Sequence, residues 1–367
     1  MDKIKIAFIK FGGMANGGTE KYLQTIAAYL PKDQFEVDFY YCDAAPYIGS
    51  NYKHIDTDES RVEYCKNHGI NLIKFNVEFK DVTKPTHDWI NTNFWEVFDE
   101  NNYDVIQTGR SGHPEYPFIL INNTPIVDSI HLAGMAENKS NVAATVLVSE
   151  SQRQRWISAG GDPNKAVVIP VPVEVPHETK CDVSYREEFG LEGKFVFGMH
   201  QRDDKNIFSP TPLEAYEEVQ SDDTAFVILG GSSNYRKQAK DMRLKNVHFL
   251  DTTSDVNSIH KFLHTLNVYA HGRSDGEQCS SSIIEGLSHS LPVISHTAPS
   301  MGQVEQIGDA GKVVNDYLEY SKVMRSLIED SEYYNRCSEN ARTRYQEIYD
   351  INSIISKFVE IYKGIVG

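Results

Sequence analysis

The chain has 367 residues, 40% of them hydrophobic and 24% charged, which is an ordinary globular composition and enough chain for two domains. Its formal net charge of −16 argues against nucleic acid as a partner and allows at most peripheral contact with a membrane. The five cysteines are widely spaced without a C-x-x-C pair, so we expect reduced thiols in a cytoplasmic protein rather than a disulfide framework or a zinc site.

The first half of the chain alternates predicted strands and helices. An apolar run at 4–9 predicts a buried strand, the glycine-rich segment 12–18 a loop, and residues 19–30 a helix. Further strands are predicted at 35–41, 103–108, 125–130 and 144–148, and a helix begins at 149–155. Such alternation is typical of a mostly parallel sheet with helices on both faces.

The second half repeats this pattern after a proline-rich hinge. Pro170, Pro172 and Pro176 do not suit the interior of regular elements and predict a linker. Strands are then predicted at 194–199, 225–229, 247–250, 268–270 and 292–295, and helices at 212–219, 281–288 and 319–367. The sequence therefore predicts an α/β protein with two doubly wound, Rossmann-like domains, 1–172 and 173–349. We expect them to face each other across a cleft, with ligands beyond the carboxyl ends of the strands.

The segment 273–294, RSDGEQCSSSIIEGLSHSLPVI, carries the strongest chemical signal. Glu277 precedes a predicted helix whose first turn offers free N–H groups to a phosphate, and the serines at 280–282 can cap that helix. Glu285 follows after seven intervening residues, where its carboxylate can accept hydrogen bonds from a vicinal diol such as a ribose. Taken alone, two such glutamates are more often solvated surface acids. The Gly286 and Leu291–Ile294 context favours a site.

With Gly286 and the Leu-Pro-Val at 291–293, this spacing resembles the nucleotide-sugar signature of retaining GT-B glycosyltransferases, in particular family 4. The segments 17–20 (GGTE), 148–150 (VSE), 168–170 (VIP) and 302–313 resemble further family motifs. The resemblance implies a nucleotide-sugar donor, retention of the anomeric configuration, no metal and no other cofactor. It also implies that residues 350–367 pack back on the N-terminal domain.

The same resemblance implies roles for the donor loop. Glu277 would hold the hydroxyls of the donor sugar and Glu285 those of the ribose. The residues between them would meet the sugar or the diphosphate: Gln278, Cys279, Ser280 and Ser281. Gln278-Cys279-Ser280 departs from the glycine, aromatic residue and glycine often found in the family, which leaves the sugar open.

Charge compensation for the diphosphate is expected from Arg202 and Lys205. We favour Arg202, because a guanidinium pairs bidentately with phosphate oxygens. The neighbouring Asp203-Asp204 pair invites a metal interpretation, but the sequence shows no further ligands beside it, so we predict no metal. Backbone groups near Gly231 are expected to read the base, which leaves UDP and GDP donors open.

Other candidates follow predicted strands of the first domain. Four glycines form a loop that leads into a helix N-terminus suited to an anion: Gly12, Gly13, Gly17 and Gly18. The alternative is a plain strand–helix turn without a ligand. His131 is a catalytic candidate together with Glu277 and Arg202, since the family often has a histidine there near the donor sugar. Arg110 and His113 are weaker candidates for the acceptor side.

The acceptor is not readable from the sequence and is expected to be a glycan, a lipid-linked sugar, a protein or a small molecule. Two rival functions stay open at this point. One is a sugar-nucleotide epimerase or hydrolase on the same fold, which would form products without any acceptor. The other is a non-catalytic, nucleotide-binding subunit.

Overall fold

The computed structural model describes residues 2–43, 47–48, 57–81, 90–110, 118–131, 139–175, 183–202, 204–231, 233–253 and 255–367. The chain divides into an N-terminal unit, Met1–Pro172 with Ile351–Gly367, and a C-terminal unit, Val173–Asp350. Each unit is built around a parallel sheet. The predicted α/β class, with parallel sheets in two Rossmann-like domains, is confirmed.

The strands of the described residues are β1 Ile4–Phe11, β2 Phe35–Cys42, β3 Tyr47–Ile48, β4 Asn71–Lys74, β5 Val77–Asp81, β6 Ile90–Thr92, β7 Val105–Arg110, β8 Ile126–Ile130, β9 Val142–Leu147, β10 Ala166–Val168, β11 Phe195–Gln201, β12 Thr224–Gly230, β13 Val247–Leu250, β14 Val268–Ala270, β15 Gly276–Glu277, β16 Val293–His296, β17 Ser300–Met301 and β18 Gly311–Val314. The α-helices are α1 Gly18–Tyr29, α2 Glu59–Asn67, α3 Phe94–Val97, α4 Glu150–Ser158, α5 Arg186–Phe189, α6 Thr211–Glu217, α7 Ser233–Asp241, α8 Val256–Thr265, α9 Ser281–Ser288, α10 Gly302–Ile307, α11 Tyr317–Glu329, α12 Ser331–Arg344 and α13 Ile351–Val366. Among these helices we find none with the length and apolar character needed to cross a membrane.

In each main sheet, successive strands of the chain are added first on one side of the starting strand and then on the other. Among the described residues, each sheet has one such switch. The sheet of the N-terminal unit has the order β10-β9-β8-β7-β1-β2-β4, and that of the C-terminal unit β13-β12-β11-β14-β16-β18. Growth therefore switches sides between β1 and β7 and between β11 and β14. Ligands in open parallel sheets bind beyond the carboxyl ends of the strands at such switch points. The segments that follow these four strands are the candidate ligand sites of the two units.

The C-terminal stretch that the sequence predicts as helical, 319–367, consists of three helices with a π-helical turn at Tyr345–Tyr349. Asp330 interrupts it because its backbone is extended and its side chain accepts from Tyr333 N, which starts a new helix. The predicted linker likewise begins with a short strand, β10, which pairs with β9. The edge strands β4 and β18 are not predicted by the sequence pattern.

Helix α13 packs within the N-terminal unit, against α1 and the strand β7. Its Tyr362 is fully buried and donates to Gln107 Oε1 on β7 over 2.7 Å, and its Phe358 packs edge-on against Tyr22 of α1. The amphipathic spacing of α13 thus buries one face and leaves the other to solvent. This contact returns the end of the chain to the first sheet.

We expect Tyr362→Phe to lower the free energy of unfolding by about 1–2 kcal/mol, because Gln107 would keep a buried amide oxygen without its donor. Tyr317→Phe is the control, since Tyr317 is exposed at the start of α11. Chemical denaturation of the two variants measures the difference. Equal stability of both variants would contradict the assigned role of this hydrogen bond.

Candidate functional site

Glu277 lies in the segment after β14, within β15, and its side chain is mostly buried. Ser280 Oγ donates to Glu277 Oε1 over 3.1 Å and Arg273 Nη1 donates over 3.3 Å, while His271 Nε2 lies 3.6 Å away. Burial raises the pKa of the Glu277 carboxyl, but His271, Arg273 and Ser280 outweigh it, so its pKa lies below the usual value. The carboxylate is therefore held ionised and in one place.

Two glutamines of α10 hold the backbone of the loop that contains Glu277. Gln303 Oε1 accepts from Glu277 N over 3.3 Å, and Gln306 Oε1 accepts from Ser280 N over 2.7 Å. Gln306 Nε2 also donates to Ser280 O over 3.1 Å. The Ser280 amide, predicted to meet the sugar or the diphosphate, is thus already bound. The sequence analysis noted the segment 302–313, which contains both glutamines, only for its resemblance to the family. It did not predict a role for either glutamine.

The start of α9 differs in one respect from the prediction. The helix begins at Ser281 as expected and Ser280 is its N-cap residue, but the Ser280 hydroxyl makes no cap. The Ser280 hydroxyl donates instead to Glu277, and Ser282 Oγ lies 3.0 Å from Ser280 Oγ. Ser281 is exposed in the first turn, whose N–H groups have no partner within the helix. That turn therefore has the N–H groups on which the predicted anion site depends.

The other two loop residues contact the pair β17 and α10. Gln278 Nε2 donates to Ser300 Oγ over 3.0 Å, and Cys279 Sγ accepts from Gln306 Nε2 over 3.4 Å. Both side chains are half-buried. Gln278 thus places a side chain where the family often has glycine, and Cys279 places a smaller one where the family often has an aromatic residue.

Glu285 lies on α9, and its carboxylate meets a histidine that the sequence analysis did not single out. His200 Nε2 donates to Glu285 Oε2 over 2.6 Å, and Tyr269 Oη lies 3.2 Å from His200 Nδ1. The Glu285 side chain is 20% exposed, and its Oε1 makes no hydrogen bond to the described residues. The switch point between β11 and β14 thus presents a fixed carboxylate with one oxygen available to a hydroxyl pair.

The predicted diphosphate residues follow β11, the strand that ends in His200 and Gln201. Arg202 is 68% exposed and its Nη2 lies 3.1 Å from Asp204 Oδ2, while Lys205 is exposed. Asp203 lies outside the described residues. Gly231 follows β12, where the preceding residue, Gly230, pairs in register with Gln201. Arg202 and Gly231 therefore follow neighbouring strands at the same edge of the sheet.

The glycine loop of the N-terminal unit follows β1. Glycine is favoured at position 12 because the φ of this residue is +63°, in the left-handed region. Gly13 N donates back to Lys10 O and closes the turn. Gly17 is the N-cap of α1, and Gly18 begins the helix with open space where a Cβ would lie. Gln24 Nε2 fixes the loop by donating to the carbonyl of Gly13.

His131 follows β8 beside a buried charge pair that the sequence did not predict. Lys10 Nζ donates to Gly109 O and lies 3.9 Å from Glu20 Oε1. Burial, and then the Lys10 charge, lower the pKa of His131 to about 3. Its ring packs edge-on against Tyr22, and its Nε2 is buried with no hydrogen-bond partner among the described residues. His131 is thus a neutral imidazole with one unsatisfied polar atom.

Arg110, predicted as an acceptor-side residue, is bound in a buried ion pair at the end of β7. Its side chain is 3% exposed, and its Nε and Nη2 donate to Asp128 Oδ2 over 2.8 and 2.6 Å. The guanidinium also stacks over Phe118. These contacts hold Arg110 in a buried ion pair with Asp128. His113, the other predicted acceptor residue, lies outside the described residues.

Comparison with known proteins finds a sequence similarity in the C-terminal unit. Residues 186–344 match the family model for Glycosyl transferases group 1. The O-antigen chain mannosyltransferase C of Escherichia coli is 26% identical over 208 residues, which make up 54% of this chain and 54% of that protein. The match therefore spans about half the length of this curated relative.

Solved structures resemble the chain over nearly its whole length. A glycosyltransferase from Rickettsia africae has a TM-score of 0.76 at 17% identity and covers 100% of this chain and 99% of its own. HepE of Anabaena in complex with UDP-glucose has a TM-score of 0.70 at 17% identity and covers 98% of this chain and 100% of its own. At such identities the likeness shows the fold. The chain has the GT-B fold of these glycosyltransferases, and its residues 186–344 match the glycosyl transferases group 1 family model.

Proposed function

We propose that this protein is a retaining glycosyltransferase that moves a sugar from a nucleotide-diphosphate sugar, UDP- or GDP-linked, to a hydroxyl acceptor. The observation that carries the proposal is the placement of Glu277 and Glu285, each bound to its own partners, at the switch point of a unit whose sequence matches the family. We propose a glycan or glycoconjugate as the acceptor, which the O-antigen mannosyltransferase relative supports.

The donor fits the geometry of the C-terminal unit. Glu285, oriented by His200, has an oxygen available to accept from the ribose hydroxyls. The first turn of α9 and the exposed Arg202 and Lys205 supply positive potential for the diphosphate. We therefore propose that the diphosphate leaves without a metal ion. HepE, whose structure contains UDP-glucose, supports a UDP-sugar as the first donor to try.

The transfer step needs charge stabilisation more than it needs a strong base. The acceptor oxygen forms a bond to the anomeric carbon on the face from which the diphosphate oxygen departs, and the departing phosphate takes the acceptor proton. Arg202, Lys205 and the α9 amides stabilise the developing negative charge. Glu277 holds the sugar hydroxyls. His131, neutral at physiological pH, can hydrogen-bond the sugar without adding positive charge beside a cation-like transition state.

We place this activity in the cytoplasm, with at most peripheral membrane contact. The five cysteines of the sequence are widely spaced and include no C-x-x-C pair, which favours reduced thiols and therefore a reducing compartment. An acceptor linked to lipid would then be reached from the membrane surface.

Thermal unfolding with UDP-, GDP-, ADP- and TDP-sugars tests the donor site. A ligand at 100 times its Kd stabilises the native state by about 2.7 kcal/mol, so one nucleotide class should raise Tm clearly. Glu285→Ala should abolish that shift, whereas Glu339→Ala, an exposed position on α12, should retain it. No shift with any nucleotide in folded protein would refute the donor site.

Product analysis separates the proposed transferase from its two rivals. Sugar released or epimerised without an acceptor would favour a hydrolase or epimerase. Binding of the nucleotide sugar without turnover on a broad set of acceptors would favour a non-catalytic subunit. Transfer to an added glycan with the donor's anomeric configuration kept would establish the proposed reaction.

A further inference from the structure

Three histidines of the C-terminal unit meet where α8 passes the end of α9. His260 and His264 are one turn apart on α8 and therefore share a face, and His289 directly follows α9. One ring nitrogen of each lies within 4.8 Å of those of the other two. None of the three was predicted as a site, because their convergence depends on how the two helices pack.

His289 is oriented in the manner of a metal ligand. Its Nδ1 lies 2.8 Å from the main-chain oxygen of Glu285 and 2.9 Å from Ser288 Oγ. A carbonyl only accepts, so Nδ1 carries the proton and Nε2 presents a lone pair. Metal-binding histidines usually donate their second N–H to such a carbonyl, which fixes the tautomer and the ring.

The lone pair of His289 points into the cluster. Its Nε2 lies 2.5 Å from His260 Nδ1, so these two rings share one short hydrogen bond. His264 Nε2 is buried and has no hydrogen-bond partner among the described residues. The hydrogen bond between His260 and His289 leaves His264 Nε2 without a partner among the described residues. A buried polar atom without a hydrogen bond lowers the stability of the folded state. One ion at the centre would satisfy all three nitrogens.

The charge around the cluster also suits a cation. The Glu285 carboxylate on α9 lies near His260 and adds negative potential on that side.

We propose that His260, His264 and His289 form a three-histidine site for a divalent transition metal, with Zn²⁺ as the expected ion and water as a fourth ligand. The ion ties α8 to the end of α9, four residues beyond Glu285, and so stiffens the helix that carries the proposed ribose ligand. It is held by residues other than those assigned to the diphosphate. The transfer step therefore does not pass through it, and the site does not depend on the proposed function.

Metal titration of tag-free protein, stripped with a chelator, tests this site. We expect wild type to bind one Zn²⁺ per chain, and Co²⁺ in its place to show the intense visible bands of a four-coordinate nitrogen site. His264→Gln should weaken Zn²⁺ binding by about 100-fold or more, because it removes a direct ligand. His248→Gln, a histidine of β13 outside the cluster, should bind as wild type does.

Two results would overturn the site: equal Zn²⁺ affinity in wild type and His264→Gln, or Co²⁺ bound only as an octahedral surface ion. Circular dichroism establishes that His264→Gln is folded, and His289→Gln repeats the comparison with a ligand from the other helix. Nucleotide-induced stabilisation is measured on the same variants. Loss of Zn²⁺ binding with that stabilisation retained would separate the metal site from the donor site.

Discussion

Replacing Glu277 with glutamine is expected to lower the rate of sugar transfer by about 100-fold or more, while the nucleotide portion of the donor still binds. The carboxylate is ionised and accepts from Ser280 and Arg273, and the Glu277 backbone N–H donates to the side-chain oxygen of Gln303 on α10. Glutamine keeps the shape but removes the charge and turns one acceptor into a donor. The sugar hydroxyls would then be held in the wrong place. Initial rates with the donor found by thermal shift measure the effect.

Asp275→Asn is the matched control for Glu277→Gln. Asp275 binds the same arginine, Arg273, through Nε, but it is about half exposed. Its loss removes a neighbouring charge without touching the proposed sugar contact, so transfer should stay within a few-fold of wild type. If both variants lose activity equally, Arg273 and its pairing would be responsible. An active Glu277→Gln enzyme would remove Glu277 from the mechanism.

The architecture was readable from the sequence because parallel strands covered on both faces are continuous apolar runs. β12 is buried along its whole length, and its core was predicted almost to the residue. The edge strand β4 is exposed or half-buried at each position, so its residues give no such run. Edge strands are defined by the neighbour they pair with. That information is absent from local periodicity.

The candidate site was readable only in part, for a similar reason. Glu277, Glu285 and the start of α9 come from one continuous segment whose spacing is visible in the sequence. The partner of Glu285 is His200, 85 positions away, and the amide of Ser280 is bound by Gln306, 26 positions on. Such partners depend on the packing of β11, α9 and α10. The spacing of the motif does not contain them.

Arg110 shows how tertiary pairing can change the interpretation of a charged residue. In the sequence it follows the predicted strand 103–108, within a glycine- and proline-containing loop, which suggested a place on the acceptor side. In the structure β7 pairs with β8 so that Thr108 lies opposite Asp128, and Arg110 reaches the same carboxylate. The pair is almost fully buried, so breaking it should cost more stability than breaking an exposed ion pair.

Asp128→Ala is expected to lower the free energy of unfolding by about 3–5 kcal/mol, because it removes a buried carboxylate that pairs with the Arg110 guanidinium. Thr108 Oγ1, which donates to Asp128 Oδ1 over 2.7 Å, also loses its acceptor. Asp241→Ala, which breaks an exposed pair with Lys237, should cost at most about 1 kcal/mol. Denaturant unfolding of both variants gives the comparison. A cost for Asp128→Ala as small as the control's would contradict the buried pair.

The double variant Arg110→Met with Asp128→Leu decides what Arg110 is for. Replacing both charges with apolar side chains of similar volume removes the unpaired ion, so stability should return to within about 1–2 kcal/mol of wild type. If the pair is only structural, transfer activity returns with stability. A stable double variant that binds the nucleotide sugar but no longer transfers to the acceptor would restore the acceptor-side role predicted for Arg110. Activity and stability measured on one variant therefore separate the two interpretations, because the fold no longer depends on the charge.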